Sequence, residues 1–295
     1  MKKQLTIPGP VVLLTGGSTG LGLAMARRLI AEKRWRLILT ARQASLERFE
    51  HEGLRDGPNL LIRPLEVTDP VQREAVVTEA HDRWGGVDAL INNAGIAYRS
   101  VIEHVEDDDW HRAMETNCIA PMALTRLVLP GMREKRRGHI VNISSVGGMM
   151  AMPTMGLYSA TKFALEGATE SLWYEVRPWD IRVSLVEPGF IHSDSFRRTR
   201  YTSESQVHMA EAEMAYHAHY HFMADFIGQQ MGWTMATPER VAGVVVRALW
   251  DENPPLRIAA TWDAVAFSML RRCLPRRLYH WLLYRNLPRV SAWAE

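Results

Sequence analysis

The sequence predicts an α/β fold: a Rossmann-type, doubly wound parallel sheet of seven strands with helices on both faces. Three observations carry that expectation. Short apolar, β-branched runs alternate with helical patterns through the first 190 residues, and one more run follows near residue 256. A glycine-rich turn lies between the first run and the first helical pattern. The chain has 295 residues, 47% hydrophobic and 23% charged, which is enough for a large core without disulfides or a structural metal.

The expected strands are Val11–Thr15, Arg36–Thr40, Asn59–Leu65, Asp88–Asn92, His139–Ser144, Ile181–Val186 and Leu256–Ala260, with helices such as Leu21–Glu32 and Val71–Trp84 between them. Strand–helix alternation with right-handed crossovers gives a parallel sheet covered on both sides. Residues 1–263 form one catalytic unit on this reading, with 190–236 as a substrate lid and 264–295 as a basic tail. Each of these two segments is too short to bury a core of its own.

Charge and cysteine content exclude other classes. Lys plus Arg is 35 and Asp plus Glu is 33, a net of +2, which is no nucleic-acid signature. Two cysteines, Cys118 and Cys273, make neither a disulfide framework nor a zinc site, so a reducing, cytoplasmic setting is expected. The apolar start is too short for a secretory signal, and no run of 18 apolar residues predicts a spanning helix.

The first strand leads into Thr15-Gly16-Gly17-Ser18-Thr19-Gly20-Leu21-Gly22 and then directly into a helix. Glycines let this backbone turn tightly and approach a pyrophosphate, and the helix N-terminus supplies amide donors and partial positive charge. Strand two ends Leu39-Thr40-Ala41-Arg42, with no acid to take a ribose 2′-hydroxyl. Arg42 offers a planar fork to a 2′-phosphate, so NADP (NADPH) is the expected cofactor. Asp69, before Pro70, reads as a helix cap.

Tyr158 and Lys162 are four apart near the start of a helix whose expected buried stripe is Ala164, Leu165, Ala168, Leu172 and Val176. A ketone gaining hydride develops negative charge on oxygen and needs a proton. A phenol, with its pKa of about 10 lowered by a neighbouring ammonium and an oxidised nicotinamide ring, can supply that proton and take it back.

The spacing TGxxxGxG resembles the short-chain dehydrogenase/reductase family in its short, single-domain form, and the resemblance spans about residues 9–260. Asn92-Asn93-Ala94-Gly95 matches that family's NNAG motif. Asn117, Ser145, Tyr158 and Lys162 match its catalytic tetrad, with Ser145 thirteen residues before Tyr158 and Asn117 twenty-eight before Ser145. The resemblance implies that Ser145 hydrogen-bonds the carbonyl oxygen and that Lys162 also holds the nicotinamide ribose. It implies further that Asn117 holds a water leading to Lys162. The spacing favours Ser145 over its neighbour Ser144, which is left as a packing residue. Glu66-Val67 stands where the family usually has Asp-Val against the adenine, and Pro188, Ile191 and Ser193 stand in its PGxIxT motif with Ser for Thr.

The cofactor set expected on these grounds is Gly16, Ser18, Thr19, Gly20, Leu21, Gly22, Arg42, Glu66, Val67, Asn93, Ala94, Gly95, Tyr158, Lys162, Pro188, Ile191 and Ser193. No metal is expected. On a helix only His217 and His221 share a face, and with no acidic or cysteine partner that fits, His217, His219 and His221 read as lid histidines, solvated or packed.

Two segments should meet at the substrate end: Met149–Met155, and the lid with Phe190, Phe196, Tyr201, Met209, Met214, Tyr216, Phe222, Met223 and Phe226. They suggest a bulky apolar alcohol or carbonyl, such as a steroid, a retinoid or a lipid-derived ketone. The same residues could equally pack a lid helix. Residues 264–295 hold six Arg against Glu295 alone, as an amphipathic helix on an anionic membrane would. A tail packed over the lid or over a second subunit has the same composition. Relatives assemble through two helices, here about 109–130 and 158–177, so a homo-oligomer is expected. A catalytically silent dinucleotide-binding regulator or scaffold is the competing class, and the complete tetrad argues against it. A sugar-nucleotide epimerase or dehydratase shares YxxxK, but the glycine spacing and the short substrate segment disfavour it.

Overall fold

The computed structural model describes residues 9–192 and 199–294, so Ser193 and Phe196 lie outside the described residues. Seven strands are described: β1 Val11–Leu14, β2 Arg36–Ala41, β3 Leu60–Pro64, β4 Ala89–Asn92, β5 Gly138–Ile143, β6 Ile181–Glu187 and β7 Arg257–Ala259. They form one sheet in the order β3-β2-β1-β4-β5-β6-β7. Every pairing is parallel, with Val12 level with Leu37 and Ala89, and Ile140 level with Leu90 and Val183. Chain order reverses between β1 and β4, so the crevice at their carboxyl ends is where a ligand belongs.

The helices are α1 Gly20–Glu32, α2 Glu47–His51, α3 Pro70–Trp84, α4 Asp107–Met114, α5 Ala120–Glu134, α6 Gly156–Val176, α7 Ser203–Ala210, α8 His217–Trp233, α9 Pro238–Trp250, α10 Trp262–Cys273 and α11 Arg276–Arg285. Alternation along β1 divides the core. Val12 and Leu14 pack with Met25 and Leu29 of α1 and with Val245 and Leu249 of α9. Val11 and Leu13 face Val76 of α3, Leu124 of α5 and Leu172 of α6. Asp69 caps α3, its carboxylate accepting from the Val71 and Gln72 amides at 2.8 and 3.3 Å.

Three features differ from the sequence reading. The helix expected over 109–130 runs from Asp107 to Glu134 and contains a π-helical turn, Glu115–Ile119, at Asn117. Among the described residues the lid contains two helices, α7 and α8, and the tail is formed by α10 and α11, broken at Pro275. On α6, Leu165, Leu172 and Val176 are buried as expected, whereas Ala164 and Ala168 are only half-buried. Polar residues Thr161, Lys162, Glu166 and Thr169 complete its inner face, because that face meets the polar ends of β5 and β6.

One central strand carries a titratable group with pH consequences. His139 on β5 is buried, and its Nε2 lies 3.0 Å from Ser184 Oγ on β6. Burial, reinforced by the charge of Arg182, pushes its pKa down to about 3. The unfolded chain therefore takes up a proton below the ordinary value of about 6.5 that the folded chain refuses, and stability falls as pH drops from there towards 3. The expected slope is about 1.4 kcal/mol per pH unit, so urea unfolding at pH 5 should show about 2 kcal/mol less stability than at pH 6.5 from this residue. His139→Gln should remove that increment. A variant that keeps the wild-type slope would clear His139 of the effect.

Candidate active site

The glycine loop, the Asn93–Gly95 turn, Ser145 and Pro188 follow the carboxyl ends of β1, β4, β5 and β6, and β1 sets the pattern. Thr15 Oγ1 accepts from the Asn93 and Ala94 amides at 2.9 and 3.0 Å. Asn93 Nδ2 in turn donates to the Thr15 and Gly16 carbonyls at 3.0 and 3.1 Å. These bonds lock the glycine loop to the Asn93-Ala94-Gly95 turn across the switch point. Gly16 has φ +64°, and a Cβ on Gly22 would lie 2.0 Å from the Gly16 carbonyl oxygen, so both positions require glycine. Thr19 at the N-cap of α1 makes no side-chain cap bond, and the first turn holds no acid. The helix end is thus shaped for an anion.

A cavity of about 890 Å³ opens over this loop, lined by Gly16, Ser18–Gly22, Arg42 and Asn93–Gly95. Its volume, its glycine cradle and its helix N-terminus fit a nicotinamide dinucleotide. Arg48, Arg200 and the Thr237–Glu239 turn also line it, and the sequence reading missed all of them. Arg48 lies six residues past Arg42 on a short helix, a spacing that could have drawn attention to it. Glu66 and Val67 line an adjoining space of about 330 Å³ that shares Arg42, Ala94 and Gly95 with the larger one.

A second cavity, of about 260 Å³, meets the first at Leu21 and Ala97, which line both. Ser145, Tyr158, Pro188 and Ile191 line it. The Tyr158 ring rests against Gly147, where a Cβ would lie 3.1 Å from Cε1. Ser145 Oγ accepts from the Gly147 amide at 3.1 Å, which leaves its own proton to donate. Lys162 is buried, its Nζ donating to the Ile143 carbonyl at 2.9 Å and standing 5.7 Å from the Tyr158 ring centre. Asn117 Nδ2 donates to Ile96 O at 2.8 Å and to Thr161 Oγ1 at 3.0 Å, and its Oδ1 accepts from the Ile96 amide at 2.8 Å. Its side chain therefore fastens the strand-four turn to α6.

The electrostatics differ from the sequence expectation. Burial pushes the Tyr158 phenol up from its ordinary value, and the hydrogen bond from Ser145 is what opposes it. Burial also pulls Lys162 down to about 8, while the charges of Glu166 and Cys118 hold it up. In the free protein the phenol is raised overall where the spacing suggested a lowered one, because burial outweighs what favours the phenolate; Lys162 Nζ meanwhile donates to a backbone carbonyl at the end of β5.

Ser144 points away from the cavity's chemistry, donating to Glu166 Oε1 at 2.7 Å. It opens a buried cluster that no motif announced. Arg257 Nη1 donates to Glu166 Oε2 and to Glu187 Oε1, both at 2.6 Å, and its Nη2 reaches Glu170 at 3.0 Å. Burial, with the nearby charge of Glu166, pushes Glu187 up to about 7, against the pull of Arg257. The cluster joins the residue before Ser145, the residue before Pro188 and the turn after Lys162. An acid four residues after Lys162 on a buried helix face was the available sequence signal.

The substrate end is narrower than the sequence suggested. Met152, Met155, Phe190, Ile191 and Met231 line the catalytic cavity, and Met231 was not anticipated. Met149 and Met150 instead pack beneath α10 and α11, and Met223 is buried within the lid. Tyr216 hydrogen-bonds Glu103 at 2.5 Å. His217 and His221 stack on each other at 6.0 Å, and His219 lies 4.4 Å from Trp293. Among the described residues no group of three possible ligands could hold a metal.

Fold and site together define a dinucleotide-binding oxidoreductase. The chain belongs to the short-chain dehydrogenase family, whose profile, described as short chain dehydrogenase, matches residues 10–204. It is 29% identical over 274 residues to a 3-ketodihydrosphingosine reductase of Bacteroides thetaiotaomicron, covering 92% of this chain and 96% of that one. A short-chain dehydrogenase from Streptomyces avermitilis superposes with a TM-score of 0.76 at 30% identity, covering 94% of this chain and 98% of the other. The closed form of a serine dehydrogenase complexed with NADP+ superposes at 0.66 with 27% identity, covering 84% and 93%.

Removing the shared cation tests the buried cluster. Arg257→Met leaves Glu166 and Glu187 facing each other and should cost roughly 2 kcal/mol at pH 8. This is less than a fully buried pair would lose, because Arg257 is 40% exposed. The loss should shrink at pH 6, where Glu187, already near 7, takes up a proton. Urea unfolding at the two pH values checks both; an equal loss at each would mean that the carboxylates do not interact.

Proposed function

We propose that the protein is an NADPH-linked oxidoreductase that interconverts an apolar ketone or aldehyde with its alcohol. The observation that carries this reading is the placement of Tyr158 and Ser145 in one cavity continuous with the dinucleotide cavity through Leu21 and Ala97. When bound, the reduced cofactor supplies the hydride. The chain's own residues do the rest. Ser145 donates a hydrogen bond to the carbonyl oxygen and holds the growing charge there. Tyr158, neutral because burial favours its protonated form, gives its proton to that oxygen as the carbonyl π pair moves onto it. Lys162, still an ammonium at neutral pH, stands beside the phenolate left behind and stabilises it. Alcohol oxidation reverses each transfer.

Arg42 and Arg48 both reach the dinucleotide cavity where β2 ends without an acid, which supports the 2′-phosphate form. The methionine and aromatic lining supports an apolar substrate, as does a relative named as a 3-ketodihydrosphingosine reductase. Exposed Ile119, in the π-helical turn before α5, and exposed Phe163 and Tyr174 on α6 support a homo-oligomer through this region. Free thiols at Cys118 and Cys273 support a reducing, cytoplasmic setting.

A panel of apolar ketones and alcohols, assayed with NADPH and NADH, tests the reading. Tyr158→Phe should lower turnover roughly a thousandfold while NADPH still binds. Arg42→Ala should weaken NADPH roughly tenfold and leave NADH unchanged. A fully active Phe variant would sink the proton role. A chain that binds NADPH but turns over nothing in the panel would favour the silent dinucleotide-binding protein.

A further inference from the structure

We propose that the α10–α11 hairpin docks the protein on an anionic lipid bilayer. Its inner side is spent: Ala264 and Tyr279 pack with Val146, Met149 and Met150. Its outer side is apolar as well. On α10, Trp262, Ala266, Met269 and Cys273 recur at i, i+4, i+7 and i+11 and all are exposed, Trp262 to 86%. On α11, Leu278, Trp281 and Tyr284 stand in solvent. A helical hairpin apolar on both sides has a second surface to cover.

The charges around that surface identify the occupant. Arg272, Arg276, Arg277 and Arg285 are all exposed, and none pairs with a carboxylate among the described residues, whereas Arg271 lies over the Phe163 ring of α6 and Arg289 over the lid. The sole acid between residues 262 and 294, Asp263, is turned inward to accept from the Phe190 amide at 2.7 Å. A second copy meeting this face about a two-fold axis would set unpaired guanidiniums against each other. An anionic headgroup layer complements them, and tryptophan with arginine is the side-chain pair that settles at a bilayer interface. No described helix is long and apolar enough to cross a membrane, so the hairpin lies on the surface.

The position of the hairpin gives docking a consequence. The cluster beneath it includes Met152, which also lines the catalytic cavity. Beyond α11, Trp293 meets His219 of the lid at 4.4 Å, and Arg289 lies 5.2 Å over the Phe222 ring. The bilayer contact thus adjoins both the cavity wall and α8, a route by which an apolar substrate reaches the site from the lipid. That last step rests on the proposed function; the docking itself does not, and it is read without turnover.

The test is flotation of the full-length protein with vesicles of phosphatidylcholine alone and of phosphatidylcholine mixed with phosphatidylglycerol, at low and high salt. Binding should require the anionic lipid and weaken with salt. R272Q/R276Q/R277Q should lower the partition coefficient at least about tenfold, and W262S/W281S should lower it comparably. The thermal midpoint of each variant, measured alongside, shows that it is folded. The arginine variant changes exposed charges only and keeps the test informative if the tryptophan variant unfolds. No binding to anionic vesicles, or binding that folded variants retain, would overturn the proposal. A wild-type oligomer that W262S/W281S dissociates, with no vesicle binding, would instead make this face a contact between copies.

Discussion

The seating of α6 on the end of β5 is the constraint on which the site depends. A tyrosine and a lysine one helical turn apart face the same way, but a rotation of one residue about the helix axis, about 100°, would carry both out of the cavity. The structure prevents this with buried polar bonds rather than with an apolar stripe alone. Asn142 donates to Thr169 at 2.9 Å, Ser144 donates to Glu166 at 2.7 Å, and Lys162 donates to the Ile143 carbonyl at 2.9 Å. Such bonds contribute about 1 kcal/mol each, yet leaving any partner unpaired costs more, so they select one helix rotation over its neighbours. Asn92 extends the ladder to β4 by donating to Asn142 at 2.8 Å.

The same seating sets the chemistry. Burial that fixes α6 also raises the Tyr158 phenol and lowers the Lys162 ammonium, the two opposite shifts that low polarity imposes on an acid and a base. Under the proposed reaction, a neutral phenol beside a charged lysine is the resting form that carbonyl reduction needs, because the proton is then on the donor. Glu166 keeps Lys162 charged from one turn further along the helix, and Arg257 keeps Glu166 and Glu187 from repelling each other. Tyr158 and Lys162 are thus supported from behind by charges that do not line the cavity.

Much of this was legible in the sequence. Local pattern placed all seven strands within one or two residues, because parallel strands buried on both faces are short apolar runs closed by turn residues. Gly16–Gly22, Asn93–Gly95, Ser145, Tyr158 and Lys162 converge because each sits at the carboxyl end of a strand or begins the next helix. What sequence could not show were pairings between distant segments. Arg257 meets Glu166 only because β7 lies beside β6, and nothing near residue 257 marks it as special. Met149 and Met150 looked like substrate contacts but serve the tail, since a methionine packs as well against a helix as against a ligand. The tail read only as a basic amphipathic segment, and its division into two helices at Pro275 came from the structure.

The account is tested most directly by the titration of one phenol. With ¹³C-ring-labelled tyrosine, the Tyr158 resonance can be assigned by its loss in Tyr158→Phe and followed against pH in the free protein and with NADP+ added. The account predicts a midpoint above the ordinary value of about 10 in the free protein, and a lower one once the positive nicotinamide ring stands beside it. A midpoint at or below the ordinary value without cofactor, or one indifferent to NADP+, would contradict it.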